Sequence, residues 1–266
     1  MTIDRLDLSG WWDLSLDPCG DAAEARFDDM ILLPGTLDEQ HKGQPGPVPD
    51  NTMRCSRLYS HVGRAWYRRS VTIPQEWAGR RVRLFIERTK FSALWLDNEK
   101  IGTFESLIAP HRFDWTAQPG THTLTLMVDN NIDVWSGHQI SDDTQTNWNG
   151  VLGEITLSLV PDVEITLLRL IPEKSGVKAL LELTAHRSAD GQLRAALGDD
   201  QATMLCPIEK GVHRETVLLP AAEPREGWNE FAPYIHPFIA QYVERGRIVS
   251  SLRRSAAPAD FHAEGT

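Results

Sequence analysis

Apolar residues recur at every second position in one short segment after another, and this alternation constrains the chain more than any other feature. Val82, Leu84 and Ile86 share one face of a segment, and Leu124, Leu126 and Val128 share one face of the segment that follows Thr121-His122-Thr123. Glu154-Ile155-Thr156-Leu157-Ser158-Leu159 repeats the pattern. A period of two means half-buried strands with one face on a core. Turn residues punctuate them at Pro34-Gly35, Gly79, Pro119-Gly120 and Pro161, and Asp97-Asn98 supplies a tight turn after Leu94-Trp95-Leu96. Many short strands without an extended helical pattern predict an all-β chain built of sandwiches. The alternation around Trp11, Trp12, Trp66 and Trp95 assigns these rings to the core.

A boundary is expected near Pro161-Asp162. Beyond it, Val163, Ile165 and Leu167 alternate, and residues 177–183 and 193–197 are strand-like. Gly198-Asp199-Asp200 makes a turn, and residues 216–220 and 247–250 follow as strands. A unit of roughly 100 residues with such short strands has the size of an immunoglobulin-like sandwich. The expected organisation is a first sandwich over 1–160, an immunoglobulin-like sandwich over 161–254, and a frayed tail over 255–266.

Four ordered segments carry a resemblance. They are Leu8-Ser9-Gly10-Trp11-Trp12-Asp13-Leu14 with Leu32-Leu33-Pro34-Gly35-Thr36; Gly63-Arg64-Ala65-Trp66-Tyr67-Arg68-Arg69 with Ile73-Pro74; Ala93-Leu94-Trp95-Leu96-Asp97-Asn98-Glu99-Lys100-Ile101-Gly102; and Val128-Asp129-Asn130 with Thr146-Asn147-Trp148-Asn149-Gly150-Val151-Leu152-Gly153-Glu154-Ile155. Together they resemble the sugar-binding jelly-roll of glycoside hydrolase family 2, the family of β-galactosidases and β-glucuronidases. Trp228-Asn229-Glu230-Phe231-Ala232-Pro233 resembles the end of that family's immunoglobulin-like second domain. The resemblance implies a parent reaction in which a terminal β-linked sugar is hydrolysed with retention. It also implies a (β/α)₈ barrel with two catalytic glutamates after the second sandwich. The sequence reaches Thr266 about where that barrel is expected to begin, so the chain is expected to lack the barrel and to be inactive alone.

Composition narrows the partners. The formal net charge of −10 disfavours phosphate backbones and anionic membranes. The three cysteines, Cys19, Cys55 and Cys206, have no CxxC spacing, and the nine histidines form no HxH or HExxH. No disulfide framework, metal site or cofactor is therefore expected. No apolar run follows a basic cluster at the start, which predicts a cytoplasmic protein, or a periplasmic or secreted one if a signal peptide was removed.

Glycoside hydrolysis needs two carboxyl groups flanking the scissile bond, about 5–5.5 Å apart for retention. The chain's 37 acidic residues show no such pairing by spacing, so no catalytic residue is assigned. Asn229-Glu230 mimics the family's acid/base dipeptide, but its flanks place it in the second sandwich as a structural residue. Two loops carry the sugar-binding candidates. In the loop through His138 to Gly150, an indole beside Asp and Asn offers a flat apolar face and hydrogen-bonding groups for hydroxyls. The resemblance implies that Asp142 or Asp143 shapes the sugar pocket, with Asn147 and Trp148 nearby. The alternative is that these Asp and Asn residues cap their own backbone while Trp148 packs into the sandwich. In the long Pro/Gly-rich loop from Gly35 through Arg57, Asp38 and Arg57 are the candidates. A carboxylate and a guanidinium there can equally form a fixed ion pair in a structural strut.

The reading is a non-catalytic portion of a family 2 glycosidase that shapes the sugar pocket and positions a catalytic barrel supplied in cis or trans. The other readings are a free-standing carbohydrate-binding protein and an architectural assembly module.

Overall fold

The computed structural model describes residues 4–16, 21–46, 57–131, 147–173, 176–220, 231 and 235–256. The chain is all-β and divides into two compact units, Met1–Val160 and Pro161–Thr266.

The first unit is a jelly-roll sandwich. Its strands are β1 (Arg5–Asp7), β2 (Gly10–Ser15), β3 (Asp29–Leu33), β4 (Gly35–Thr36), β5 (Gln44–Pro45), β6 (Tyr59–Ser60), β7 (Arg64–Ile73), β8 (Arg81–Arg88), β9 (Phe91–Leu96), β10 (Glu99–Phe104), β11 (His111–Thr116), β12 (Gly120–Asp129) and β13 (Gly150–Leu159). One sheet runs β1-β13-β8-β11, with β4 also paired to β13, and the other runs β10-β9-β12-β7-β2-β3. The alternation read from sequence decides which side chains meet between them. Val82, Leu84 and Ile86 of β8, Leu124, Leu126 and Val128 of β12, and Ile155 and Leu157 of β13 belong to one buried cluster. Burying a residue of this size contributes about 1.5–3 kcal/mol.

The structure corrects one assignment to that core. Consecutive strand residues point to opposite faces, so Trp11 and Trp12 cannot both turn inward. Trp12 is buried, with Nε1 donating to the Leu8 carbonyl at 3.0 Å. Trp11 is 60% exposed beside its cross-strand partner Leu32. Trp66 is buried and Trp95 half-buried, their rings 5.2 Å apart.

The second unit contains β14 (Val163–Glu173), β15 (Gly176–Ala185), β16 (Ala189–Leu197), β17 (Asp200–Ile208), β18 (Gly211–Pro220), β19 (His236–Glu244) and β20 (Arg247–Ala256). A three-stranded sheet β14-β15-β18 and a four-stranded sheet β17-β16-β19-β20 give the immunoglobulin-like arrangement. No disulfide bridges the sheets among the described residues; Cys206 is a free, buried thiol whose pKa burial pushes up to about 11. Within the four-stranded sheet, the Tyr242 hydroxyl of β19 donates to the Cys206 carbonyl of β17 at 3.0 Å. Its ring lies over Gly191, where a Cβ would sit 2.5 Å from the ring, so only glycine leaves the room. β14 slips register between Ile165 and Leu167, and the Ser250 hydroxyl accepts the Ile165 amide at 3.0 Å. β20 runs to Ala256, which is buried and paired with His236, so residues 255 and 256 are strand where the sequence pattern suggested a tail. Residues 257–266 lie outside the described residues.

The β9–β10 turn shows how sequence chemistry sets local structure. Asp97 and Asn98 adopt φ of 49° and 77°, the paired positive values of a two-residue hairpin turn. Asp97 Oδ1 accepts the Thr123 amide at 2.7 Å, and its Oδ2 lies 2.5 Å from His122 Nδ1. His122 Nε2 meets the Gln118 carbonyl at 2.8 Å. With acceptors at both ring nitrogens, the imidazolium fits best, and the Asp97 bond raises the His122 pKa above 6.5. Burial alone would raise the Asp97 pKa, but the Thr123 amide and His122 outweigh it and hold it below 3.8.

A raised histidine pKa contributes stability that is full below pH 6.5 and is lost as pH rises through the folded value; the lowered Asp97 pKa contributes above 3.8 and is lost as pH falls through its folded value. Exchange protection of the Asp97 amide, bonded to the Thr123 carbonyl at 2.9 Å, is therefore expected to be greatest between those limits. Amide exchange followed from pH 4 to 9 checks this. The His122→Gln chain should lose the alkaline decline.

Candidate functional site at one end of the first sandwich

The candidate loops gather where β7 and β9 begin and β12 ends. Asp129 pairs with Arg64 and with Phe91, which sets these three strand ends side by side. The next residue, Asn130, is fully buried. Its Oδ1 accepts the Gly63 amide at 2.8 Å, and its Nδ2 donates to the carbonyls of His61 at 2.7 Å and Asn147 at 3.3 Å. Asn147 Nδ2 donates back to the Asn130 carbonyl at 2.9 Å. The two roots of the intervening polar segment are thus bonded to each other in both directions.

Asn149 makes a second amide hub. Its Oδ1 accepts the Tyr67 hydroxyl at 2.7 Å, while Nδ2 donates to the carbonyls of Val128 at 3.0 Å and Gly63 at 3.2 Å. Its own carbonyl accepts the Leu37 amide at 2.9 Å. Burial pushes the Tyr67 pKa far up, so the phenol stays a donor. The next residue, Gly150, has φ of 140° and pairs with Thr36; a Cβ there would lie 2.3 Å from the Gly35 carbonyl. Glycine is required by both the dihedral and the close approach.

These bonds join the two loops that the sequence treated separately. Leu37 precedes Asp38, and Asn149 follows Trp148. The first loop is also tied to the edge of β3. Gln40 mimics a neighbouring strand, with Oε1 accepting the Leu32 amide at 2.8 Å and Nε2 donating to its carbonyl at 2.7 Å. Lys42 Nζ reaches Asp29 at 2.6 Å, and this contact, its largest influence, lowers the Asp29 pKa. An otherwise bare strand edge is thereby covered.

Asp38 and Arg57 form an ion pair with each other, each about four-fifths buried at the side chain. Trp148 is 5% exposed. Lys90 Nζ lies 4.9 Å and Arg88 Cζ 5.7 Å from its ring centroid. The Thr89 hydroxyl donates to the Gly150 carbonyl at 2.7 Å. The Leu37–Asn149 bond thus links the chain beside Asp38 to the chain beside Trp148, Asp38 and Arg57 being paired with each other and Asn147 with Asn130, while Asp142 and Asp143 lie outside the described residues. Among the participants that sequence reasoning missed, Tyr67, Asn130 and Asn149 stood in the quoted motifs without an assigned role. Lys90 and Gln40 carried no signal, since either reads as an ordinary solvent-facing side chain.

Several carboxylates of the described residues are engaged as structural acceptors. Asp114 takes both arms of Arg83 at 2.7 and 2.9 Å, Glu154 pairs with Arg5 at 2.7 Å, and Asp13 pairs with Arg68 at 3.3 Å. Those whose acidity the fold displaces, Asp7, Asp29, Asp97 and Glu244, are all held below the ordinary value, opposite to the need of a glycosidic general acid. The buried His111 is also committed. Its Nε2 meets the Ser106 carbonyl at 2.7 Å, so Nδ1 is the acceptor for the Ser92 hydroxyl at 2.6 Å, and burial lowers its pKa. Among the described residues no three His, Cys, Asp or Glu side chains gather as metal ligands. No described helix is long and apolar enough to cross a membrane.

No family model matches the sequence. A β-glucuronidase from Paenibacillus borealis is 26% identical over 141 residues, 51% of this chain and 22% of that protein. A family 2 β-galacturonidase from Eisenbergiella tayi, solved with galacturonate bound, superposes with a TM-score of 0.72 over 98% of this chain at 18% identity. A β-glucuronidase from glycoside hydrolase family 2 gives 0.77 over 97% at 13% identity. The chain has the fold of glycoside hydrolase family 2. It spans less than half of these relatives, 44% of the galacturonidase and 31% of the solved glucuronidase. The jelly-roll and immunoglobulin-like sandwiches are therefore part of a larger architecture in the family 2 proteins that it resembles.

Removing the Asn149 amide strands the Tyr67 hydroxyl and takes a donor from the Val128 and Gly63 carbonyls, of which Gly63 keeps the Asn130 amide at 3.4 Å; a buried group left unpaired costs about 1–3 kcal/mol. Asn149→Ala should lower the stability of the first sandwich by ~3 kcal/mol or more in urea unfolding, and Tyr67→Phe by about 1 kcal/mol. The double variant should match Asn149→Ala to within about 0.5 kcal/mol, since the phenol has then already lost its acceptor.

Proposed function

We propose that this chain is a non-catalytic portion of a family 2 glycoside hydrolase. Its jelly-roll supplies one wall of the pocket for a β-linked sugar, and it works with a catalytic barrel in cis or trans. The observation that carries this reading is the Leu37–Asn149 hydrogen bond. It joins the start of the Asp38–Arg57 loop to the root of the Asn147–Trp148 loop, which Asp142 and Asp143 precede in sequence. A constellation held on strand ends and fixed by buried hydrogen bonds suits substrate positioning. Leu58 and Val62 stand 80% and 61% exposed on the adjoining segment, an apolar surface suited to a neighbouring domain.

The parent reaction is hydrolysis of a terminal β-glycoside with retention, and the named relatives make β-glucuronides and β-galacturonides the substrates to try first. In this reading the acid/base and the nucleophile come from the barrel. This chain's carboxylates orient the sugar or hold the loops.

Alone, the chain should leave p-nitrophenyl β-D-glucuronide and β-D-galacturonide uncleaved. In the enzyme that carries it, Asp38→Asn, Arg57→Ala, Asp142→Ala and Asp143→Ala separate the functions. At least one of the loop aspartates should raise KM about tenfold, the loss of one good polar contact, with folding intact. Hydrolysis by the isolated chain that disappears on substituting one of its carboxylates contradicts the proposal. Unchanged kinetics in all four variants would leave an architectural module.

A further inference from the structure

We propose that Lys90 is a positioning residue for this wall, acting through the indole of Trp148; the inference rests on the reading of the loops given above. A lysine in a two-residue connection, here the one that crosses from β8 in one sheet to β9 in the other, ordinarily projects into water, because an ammonium is costly to bury. Lys90 does the opposite. It is 4% exposed, and its Nζ sits 4.9 Å from the centroid of the Trp148 ring, within cation–π range. Trp148 is itself 5% exposed and stands between Asn147 and Asn149, the two residues that close the loop junction.

The connection between β8 and β9 therefore holds the loop root in two ways. Thr89 fixes the backbone through the Gly150 carbonyl, and Lys90 fixes the side chain through the indole. Arg88, 5.7 Å from the same ring, adds a second cation. Cation–π attraction strengthens when the pair is withdrawn from water, so the contact fixes ring orientation more firmly than a surface pair does. The chain contains its own control in Lys100, an exposed cation 5.5 Å from the Trp95 ring. The indole of Trp148 then acts as the backing of the wall beside Asn147.

The test is fluorine NMR of the chain labelled with 5-fluorotryptophan, with the Trp148 resonance assigned by its loss in Trp148→Phe. Lys90→Met should displace or broaden the Trp148 resonance and leave the remaining tryptophans in place. Lys90→Arg should keep it near its original position, and Lys100→Met should not move it. Should Lys90→Met not fold, Lys90→Gln makes the same comparison. A Trp148 resonance unmoved by loss of the Lys90 charge overturns the proposal, as does an equal displacement in Lys90→Arg.

Kinetics of the enzyme that carries the chain complete the test. Lys90→Met should raise KM for p-nitrophenyl β-D-glucuronide about tenfold with kcat little changed, in the range of a desolvated cation–π contact, and Lys90→Arg should restore it. A Trp148 resonance that responds to Lys90→Met while KM stays unchanged keeps Lys90 as the loop's positioning residue and removes the sugar-pocket reading.

Discussion

Where several loops meet at the end of a sandwich, backbone amides and carbonyls leave the sheet ladder and lose water together, and each needs a replacement partner. In the first sandwich, two buried asparagines supply many of those partners. Asn130 and Asn149 between them bond to Gly63, His61, Asn147, Val128 and the Tyr67 phenol. Asparagine suits this because it carries two donors and an acceptor on one short, uncharged group. A carboxylate could not donate to the four carbonyls of His61, Asn147, Gly63 and Val128, and an aliphatic residue would remove the side-chain donor from each. The loops bearing Asp38 and Trp148 inherit their positions from this junction.

The alternation of Val82, Leu84 and Ile86, and of Leu124, Leu126 and Val128, was sufficient to place their strands and their buried faces, because a period of two admits one geometry. It was insufficient at Trp11, where two adjacent tryptophans compete for one inward position and only the register with β3 decides. β17 and β19 did not stand out in the sequence. β17 reads Asp-Gln-Ala-Thr-Met-Leu-Cys-Pro-Ile, with a proline and few branched residues, while the alternation of Phe238, Ala240 and Tyr242 in β19 was available to be read. The candidate loops were legible as polar segments of unusual length. Their convergence was not, because Leu37 and Asn149 are 112 positions apart and meet through backbone atoms that no residue type announces. Lys90 was equally hidden, since composition gives no sign that a turn lysine is buried.

The second sandwich is held together in a different way. Within its four-stranded sheet, the Tyr242 ring of β19 fills the space over Gly191 of β16, and its hydroxyl, with a pKa pushed up to about 12, ties the Cys206 carbonyl of β17. Ser250 repairs the slip in β14. At one end Arg187 reaches Asp162 at 2.9 Å and Glu244 at 2.6 Å. These are devices of a stable scaffold, and the carboxylates they use are spent on arginines. Acidic groups are abundant in the chain, and those among the described residues whose acidity the fold displaces are held at lower pKa values by the bonds they accept.

The central claim is that the loop end of the jelly-roll is preorganised by the two asparagines, and native-state hydrogen exchange addresses it most directly. The Leu37 amide, bonded to the Asn149 carbonyl, and the Gly63 amide, bonded to Asn130 Oδ1, lie outside the long strands and would exchange quickly as ordinary loop amides. With the junction preorganised, both are expected to be protected to nearly the same degree as the central amides of β7 and β12. Fast exchange at Leu37 and Gly63 while those strands remain protected would contradict it.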